Sequence, residues 1–211
     1  YEVVGHDQFP TGFSDYSSAL MKAKAKKAGV IFACFDNPES GVLVNQWKSI
    51  KVPGLIAGFI SPMAGEVAWK TFKGKIGGLM NATFELGNVP AAKYAPSKNF
   101  YNKYKKAYGK GIQSGHGPAP AYESVYILKE AIERAGSLDP DAIVAEVEKT
   151  DKQGVMGRIK FDAGHQVIYG TDPAQTAVGG FFLWTEDGKR KIVYPASLAD
   201  GPIVLRPWVK R

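Results

Sequence analysis

The sequence has almost no cysteine. Cys34 is the single one among 211 residues, so a framework of intrachain disulfides is excluded. It interrupts an apolar run typical of a strand, and we expect a buried thiol that behaves as a small hydrophobic group rather than as a reactive one. One cysteine does not indicate whether the compartment is oxidising or reducing.

Histidine is scarce, and the usual catalytic motifs are absent. His6, His116 and His165 form no i, i+4 pair and no H-E-x-x-H motif, so we predict no metal site. Ser114 and His116 share a loop, but there is no G-x-S-x-G elbow and no acid placed to orient the histidine. The glycines of YGKGIQSG have the wrong spacing for a dinucleotide-binding loop. We therefore expect neither an enzyme nor a bound cofactor.

Long hydrophobic runs are also missing. No apolar run approaches the roughly 20 residues that a transmembrane helix needs. The chain begins at Tyr1 with no initiator methionine, charged amino-terminal region or apolar leader, and we expect a processed or trimmed product. Hydrophobic residues make up 45% of the sequence, which is enough for a buried core.

Acidic residues are outnumbered by basic ones, 20 to 27, which gives a formal net charge of +7. Such an excess can indicate nucleic-acid binding. The lysines, however, cluster at 22–27 and 98–110, where they alternate with aromatic and apolar residues at helical spacing. This pattern favours a solvated helix face, with a polyanion-binding surface as the alternative. We find no nucleic-acid recognition motif and expect no such partner.

Strands and helices alternate in the first part of the chain. The predicted strands are 1–4, 30–35, 54–59 and 76–84. The predicted helices are 14–28, 38–50 and one that starts at Ser61-Pro62. This alternation predicts right-handed βαβ units and a parallel sheet.

The middle of the chain is predicted to be helical. The helices are 97–108, 119–135 and 140–150, the last with Asp139 as its N-cap. Short extended pieces follow at 158–161, 166–169, 179–184 and 191–194, with a hairpin turn at 186–189. The helix 119–135 has a wide apolar stripe, which must pack against another element. We predict no adjacent sheet in this chain for it to pack against. The members of the stripe are Tyr122, Val125, Tyr126 and Ile132.

One strand end carries candidate binding residues. The apolar strand 30–35 stops at Asp36, and Asn37-Pro38 then signals the start of a helix. In an open parallel sheet the carboxyl ends of the strands face the crevice in which ligands bind. We therefore expect Phe35 and Asp36 to contact a ligand.

Three segments together carry a resemblance to a known family. They are GHDQFPTGFSDYSSALMKAKAKKAGVIFACF, AYESVYILKEAIERAGSLDPDAI and GVMGRIKFDAGHQ. The first resembles the second lobe of type I periplasmic solute-binding proteins, the branched-chain amino-acid-binding group of ABC transporters. The other two resemble later signatures of that family, in the order in which the family shows them. The resemblance covers nearly all of the chain and depends on the order of many weak motifs.

The resemblance implies an α/β fold of the type I periplasmic-binding class, with two lobes joined by three chain crossings. Residues 1–84 would form the main part of lobe two, 85–161 an excursion into lobe one, and 162–211 the return to lobe two with the carboxyl-terminal tail. The three central helices would then cover a lobe-one sheet that this sequence lacks. Bare apolar surface costs about 25 cal/mol per Å². We therefore expect a missing amino-terminal portion, either cleaved or held as a separate chain.

The resemblance also implies a binding site in the cleft between the lobes. Its candidate residues are Phe35, Asp36, Phe59, Ser61 and Tyr122. Amino-acid-binding members tend to have an acidic residue where Phe59 stands, so this sequence favours a small aromatic or aliphatic carboxylate. Asp36 is the alternative partner for an ammonium group. The structural alternatives are core packing for Phe35, Phe59 and Tyr122, and a position beside a helix cap for Asp36.

The function implied by the resemblance is that of an extracytoplasmic solute-binding component of an ABC importer. It would be periplasmic, or extracellular and lipid-anchored, and its partners would be a small-molecule solute and a membrane permease. The alternative is a ligand-sensing domain of the same fold in a receptor or regulator.

Overall fold

The computed structural model describes residues 1–36 and 40–209. Its first unit is a parallel strand pair flanked by helices, made of α1 (Ser17–Ala25), β1 (Val30–Phe35), α2 (Ser40–Ile50) and β2 (Leu55–Ile60). The register runs from Val30 opposite Leu55 to Phe35 opposite Ile60. The parallel βαβ unit expected from the sequence is confirmed.

A second, antiparallel sheet lies beside this pair. A short 3-10 helix (Ser61–Met63) and α3 (Ala68–Thr71) lead to β3 (Met80–Thr83). β3 pairs with β8 (Gly180–Trp184), and β8 pairs with β9 (Arg190–Tyr194). The buried Asn81 side chain joins the two sheets, because its Oδ1 accepts from the Ile60 N–H at 2.8 Å and its Nδ2 donates to the Ile60 carbonyl at 3.2 Å.

The middle of the chain contains three helices and a small sheet. The helices are α4 (Ala95–Tyr108), α5 (Pro118–Ala135) and α6 (Pro140–Glu148). Asp139 caps α6 as predicted, with its Oδ1 accepting from the Ala142 N–H at 3.0 Å. The sheet has the order β4 (Asp151–Gly154), β5 (Gly157–Lys160), β7 (Ala177–Val178), β6 (Tyr169–Gly170).

The buried apolar residues form two clusters. The larger one surrounds Trp47, Phe182 and Trp184 and draws on the parallel pair, the β3–β8–β9 sheet and the segment after β9. The smaller one packs α5 against the small sheet, with Ile127 and Ile159 among its members. Among the described residues, no helix is long and apolar enough to span a bilayer.

Several local predictions are wrong. Residues 1–4 form no strand, and the strand expected at 76–84 is shortened to β3, which pairs antiparallel rather than parallel. Cys34 is exposed, not buried. The reason is that side chains alternate along a strand, and one face of β1 is bare, with Phe32 70% exposed.

The expectation that no sheet adjoins the helix now called α5 is also wrong. The small sheet packs against its Ala119 and Ile127 side. The apolar stripe nevertheless remains largely uncovered, because Tyr122, Val125 and Tyr126 all lie on the exposed part of the helix. The local sequence predicted β5 and missed β4, whose residues are polar.

Candidate functional site

The ends of three strands meet on one side of the part of the protein that surrounds the larger apolar cluster. We call this side the strand-end edge. β1 and β2 end at the paired residues Phe35 and Ile60. The Asn81 contacts with Ile60 bring the end of β3 beside them. The residues that follow these strands therefore share one side of the protein, as the parallel-sheet rule predicts.

An aromatic cluster lies at this edge. The Phe59 and Phe84 rings are stacked, with centroids 4.5 Å apart and planes inclined by 19°. The His116 imidazole lies beside both, 5.7 Å from Phe59 and 5.8 Å from Phe84. Phe59 is buried, whereas Phe84 is 47% exposed and His116 is exposed. The cluster thus has a covered inner ring and an accessible outer surface.

The loop that carries His116 is fixed to the end of β3. The Gly115 carbonyl accepts from the Phe84 N–H at 2.8 Å and from the Thr83 hydroxyl at 3.1 Å. Gly115 packs closely against the backbone of β3, because a Cβ atom at this position would be only 3.0 Å from the Ala82 carbonyl oxygen. These bonds hold the imidazole beside Phe84.

Glu85 and Asn88 complete the polar part of the site. The Glu85 carboxylate accepts from Asn88 Nδ2 at 2.8 Å, and Asn88 Oδ1 accepts from the Ala119 N–H at 3.0 Å. Burial raises the pKa of Glu85, opposed by the bond from Asn88, the charge of His116 and the Gly117 N–H. Burial, together with the charge of Glu85, raises the pKa of Tyr169 to about 12. The Tyr169 phenol is therefore protonated at neutral pH.

The predicted residues on β1 have different environments. Phe35 packs inward, 5.6 Å from the Tyr16 ring and 6.4 Å from the Phe9 ring. Asp36 is exposed at the end of the strand. The helix-start signal at Asn37 and Pro38 lies outside the described residues. A ligand contact of Phe35 or Asp36 stays a prediction.

Ser61 starts the 3-10 turn after β2, where its carbonyl accepts from the Ala64 N–H at 3.1 Å. It shares the strand-end edge with Phe59, and ligand binding by both residues stays a prediction. Phe84 and His116 were not selected from the sequence. The available signal was that Phe84 directly follows a strand pattern, whereas only the folded loop brings His116 to it.

Tyr122 lies elsewhere, and its ring contacts are Phe100 and Tyr126, each at 4.9 Å between centroids. With Pro96, Tyr126 and Lys152 it lines a shallow depression of about 260 Å³. A role of Tyr122 in solute binding also stays a prediction.

The depression has a buried carboxylate at its base. Glu123 is 3% exposed and accepts from the Val155 N–H, while Lys152 Nζ lies 2.7 Å from Glu130 and 3.8 Å from Glu123. This arrangement fixes β4 to α5. Within the described ranges, no group of three or more His, Cys, Asp and Glu side chains is placed to hold a metal ion.

The comparison with known proteins agrees with this architecture. The model of a family described as periplasmic binding protein matches residues 1–180. The chain belongs to this family. Together with the relatives described next, this match confirms the resemblance to branched-chain amino-acid-binding proteins and the type I α/β fold class.

Three relatives illustrate the periplasmic binding protein family. A Leu/Ile/Val-binding protein homolog of Brucella melitensis is 29% identical over 144 residues, which are 68% of this chain and 37% of that protein. The solved structure of the branched-chain amino acid transporter substrate binding protein LivJ of Streptococcus pneumoniae, in complex with isoleucine, is 25% identical with a TM-score of 0.63 and covers 89% of this chain.

The third relative is a solute binding protein of an ABC transporter from R. palustris, in complex with benzoate. It is 14% identical with a TM-score of 0.65, covers 99% of this chain and shows the fold alone. The chain spans 51% of the LivJ chain and 53% of the R. palustris chain, so it corresponds to about half of each solved relative. All three relatives are named as binding proteins.

Proposed function

We propose that this chain forms one lobe, and part of the other, of the extracytoplasmic solute-binding component of an ABC importer. The solute is a small organic molecule, either an amino acid or a small aromatic or aliphatic carboxylate. It is held at the strand-end edge formed by β1, β2 and β3. The protein acts in the periplasm, or outside the cell on a lipid anchor, and delivers the solute to a membrane permease.

The observation that carries this proposal is the strand-end edge itself. It combines an exposed ring, Phe84, with an exposed imidazole, His116, and a carboxylate at Asp36. Small-molecule sites combine a mostly apolar surface with a few polar groups that fix orientation. Two relatives support the same role. The LivJ structure is a complex with isoleucine, and the Brucella melitensis relative is named as a homolog of a Leu/Ile/Val-binding protein.

A complementary body is part of the proposal. Two apolar faces are bare, one on β1 with Phe32 and Val30 and one on α5 with Val125 and Leu128. Exposed apolar patches of this kind mark interaction surfaces. We propose that polypeptide outside this sequence covers both faces, as the remainder of the same protein or as a separate chain. The lobe assignment 1–84, 85–161 and 162–211 is part of the same proposal.

The decisive experiment is a ligand screen on the native full-length protein. Thermal unfolding is followed with amino acids and with small aromatic and aliphatic carboxylates. A bound solute stabilises the folded protein by RT ln(1 + [L]/Kd), about 2.7 kcal/mol at a hundredfold excess over Kd. A rise in Tm with at least one of these solutes is expected. No rise with any member of the panel would contradict the proposal.

The variant Phe84→Asp tests whether the solute binds at the strand-end edge. It places a charge on the accessible ring position and should abolish stabilisation by the solute, whereas Tyr108→Asp, on the exposed end of α4, should preserve it. A solute that still stabilises Phe84→Asp binds somewhere other than the strand-end edge.

A further inference from the structure

The accessible ring of Phe84 sets a condition on the solute. Phe59 covers one side of this ring in a nearly parallel stack, and Phe59 itself is 6% exposed. Phe84 remains 47% exposed, so its ring presents an open aromatic surface at the strand-end edge. Aromatic pairs gain about 0.5–1.5 kcal/mol beyond the burial of apolar area. An aromatic solute gains this contribution, and a branched aliphatic one does not.

His116, the polar side chain that contacts the Phe84 ring, offers a hydrogen-bond donor to a carboxylate on the solute. His116 presents an imidazole N–H beside the ring, in a loop fixed by the Gly115 carbonyl. Glu85, the nearby acid, already accepts a hydrogen bond from Asn88 Nδ2 at 2.8 Å. An incoming carboxylate therefore meets a donor at His116, while the Glu85 carboxyl has a donor of its own.

We propose that the solute is an aromatic carboxylate, whose ring stacks on Phe84 and whose carboxylate accepts a hydrogen bond from the His116 imidazole. This inference rests on the proposed solute-binding function and narrows the solute to one chemical class. It assigns two roles that the sequence did not reveal, ring recognition to Phe84 and charge recognition to His116.

Four ligands separate these two roles. Isothermal titration calorimetry on the native full-length protein compares benzoate, cyclohexanecarboxylate, benzamide and isoleucine. Benzoate should bind about 3- to 10-fold more tightly than cyclohexanecarboxylate, which retains the charge but loses the aromatic ring. It should bind about 10-fold or more tightly than benzamide, which retains the ring but loses the charge.

Matched variants assign each effect to its residue. In Phe84→Leu, the benzoate affinity should fall to that of cyclohexanecarboxylate, whose own affinity should hardly change. In His116→Phe, the benzoate affinity should fall about 10-fold, and the benzamide affinity should fall less, because a neutral amide oxygen accepts a weaker hydrogen bond than a carboxylate does. Tyr108→Leu, on the exposed end of α4, is the control and should alter none of them. Circular dichroism and Tm report whether each variant is folded.

The outcomes distinguish this inference from the broader function. Tighter binding of isoleucine than of benzoate would overturn the aromatic carboxylate and leave the solute-binding function standing. Equal effects of Phe84→Leu on benzoate and cyclohexanecarboxylate would overturn the stacking role. If none of the four ligands binds, the proposed solute class is wrong, and the broader function is decided by the wider thermal screen.

Discussion

Arg190 on β9 donates a hydrogen bond from Nη2 to the hydroxyl of Tyr101 on α4, with the two atoms 2.5 Å apart. The same guanidinium donates from Nη1 to the Ala64 carbonyl at 2.7 Å and lies 5.8 Å from the centre of the Trp184 ring. Burial lowers the pKa of Arg190, opposed by the nearby Tyr101 and Glu66. α4 is thus anchored to the body that carries the strand-end edge.

Removing the Tyr101 hydroxyl tests this anchor. Tyr101→Phe leaves a buried guanidinium donor without its partner, which should lower the free energy of unfolding by about 1–3 kcal/mol. Urea denaturation measures the change. Tyr108→Phe, on the exposed end of the same helix, is the matched control and should have an effect within about 0.5 kcal/mol of zero. Equal effects of both variants would show that the anchor contributes nothing.

A second test concerns the buried carboxylate between α5 and β4. In Glu123→Ala, the Val155 N–H loses its acceptor in a buried position, and we expect a loss of about 1–3 kcal/mol in unfolding free energy. Glu123→Gln retains an acceptor oxygen and should lose less. Glu133→Ala breaks only the exposed pair with Lys129 and should cost about 0–1 kcal/mol. The result would contradict this account if Glu123→Ala were as mild as Glu133→Ala.

The elements that the sequence predicted best are those with local signals. β1 was recognised from its apolar run and α6 from the pair Asp139 and Pro140, and both are present. The predicted burial of Cys34 is wrong. The alternation of side chains along a strand shows which residues share a face, but it does not show which face is packed against other elements. That packing depends on contacts distant in the sequence.

The strand-end site shows the same limit more clearly. Phe59 was selected by resemblance, but its partners could not be inferred from local pattern. His116 reaches Phe59 only because the Gly115 carbonyl is bonded to the Phe84 N–H, a contact between a loop and the end of β3. No periodicity in the sequence encodes such a pairing, since both segments are irregular.

The N-cap of α6 offers a test of a predicted local feature. Asp139→Ala removes the side-chain acceptor of the Ala142 N–H and should cost about 1 kcal/mol of stability. Asp139→Asn keeps an oxygen in the capping position and should cost much less, because Asn is also a favourable N-cap residue. Thermal unfolding of the three proteins measures both. A cap that contributes nothing would leave Asp139→Ala indistinguishable from Asp139→Asn.

Glu85 should make the protein less stable as the pH rises, because its carboxyl is partly buried. Because burial raises its pKa in the folded protein above the reference value of 4.5, the folded state holds the Glu85 proton more tightly than the unfolded state. The resulting stabilisation is fully present below about pH 4.5 and is lost as the pH rises through the folded-state pKa. Unfolding free energies by urea denaturation at steps from pH 4 to pH 7 measure this dependence.

Replacing the carboxyl with an amide isolates the contribution of Glu85 from that of all other groups. Glu85→Gln keeps an oxygen for Asn88 Nδ2 but does not titrate, so the difference in stability between variant and parent should shift in favour of the variant as the pH rises. Glu133→Gln, an exposed carboxylate on α5, is the control for general charge effects. A Glu85→Gln difference that stays constant across the range would mean that Glu85 has the same pKa in the folded and unfolded states, and that the strand-end edge does not desolvate its carboxyl.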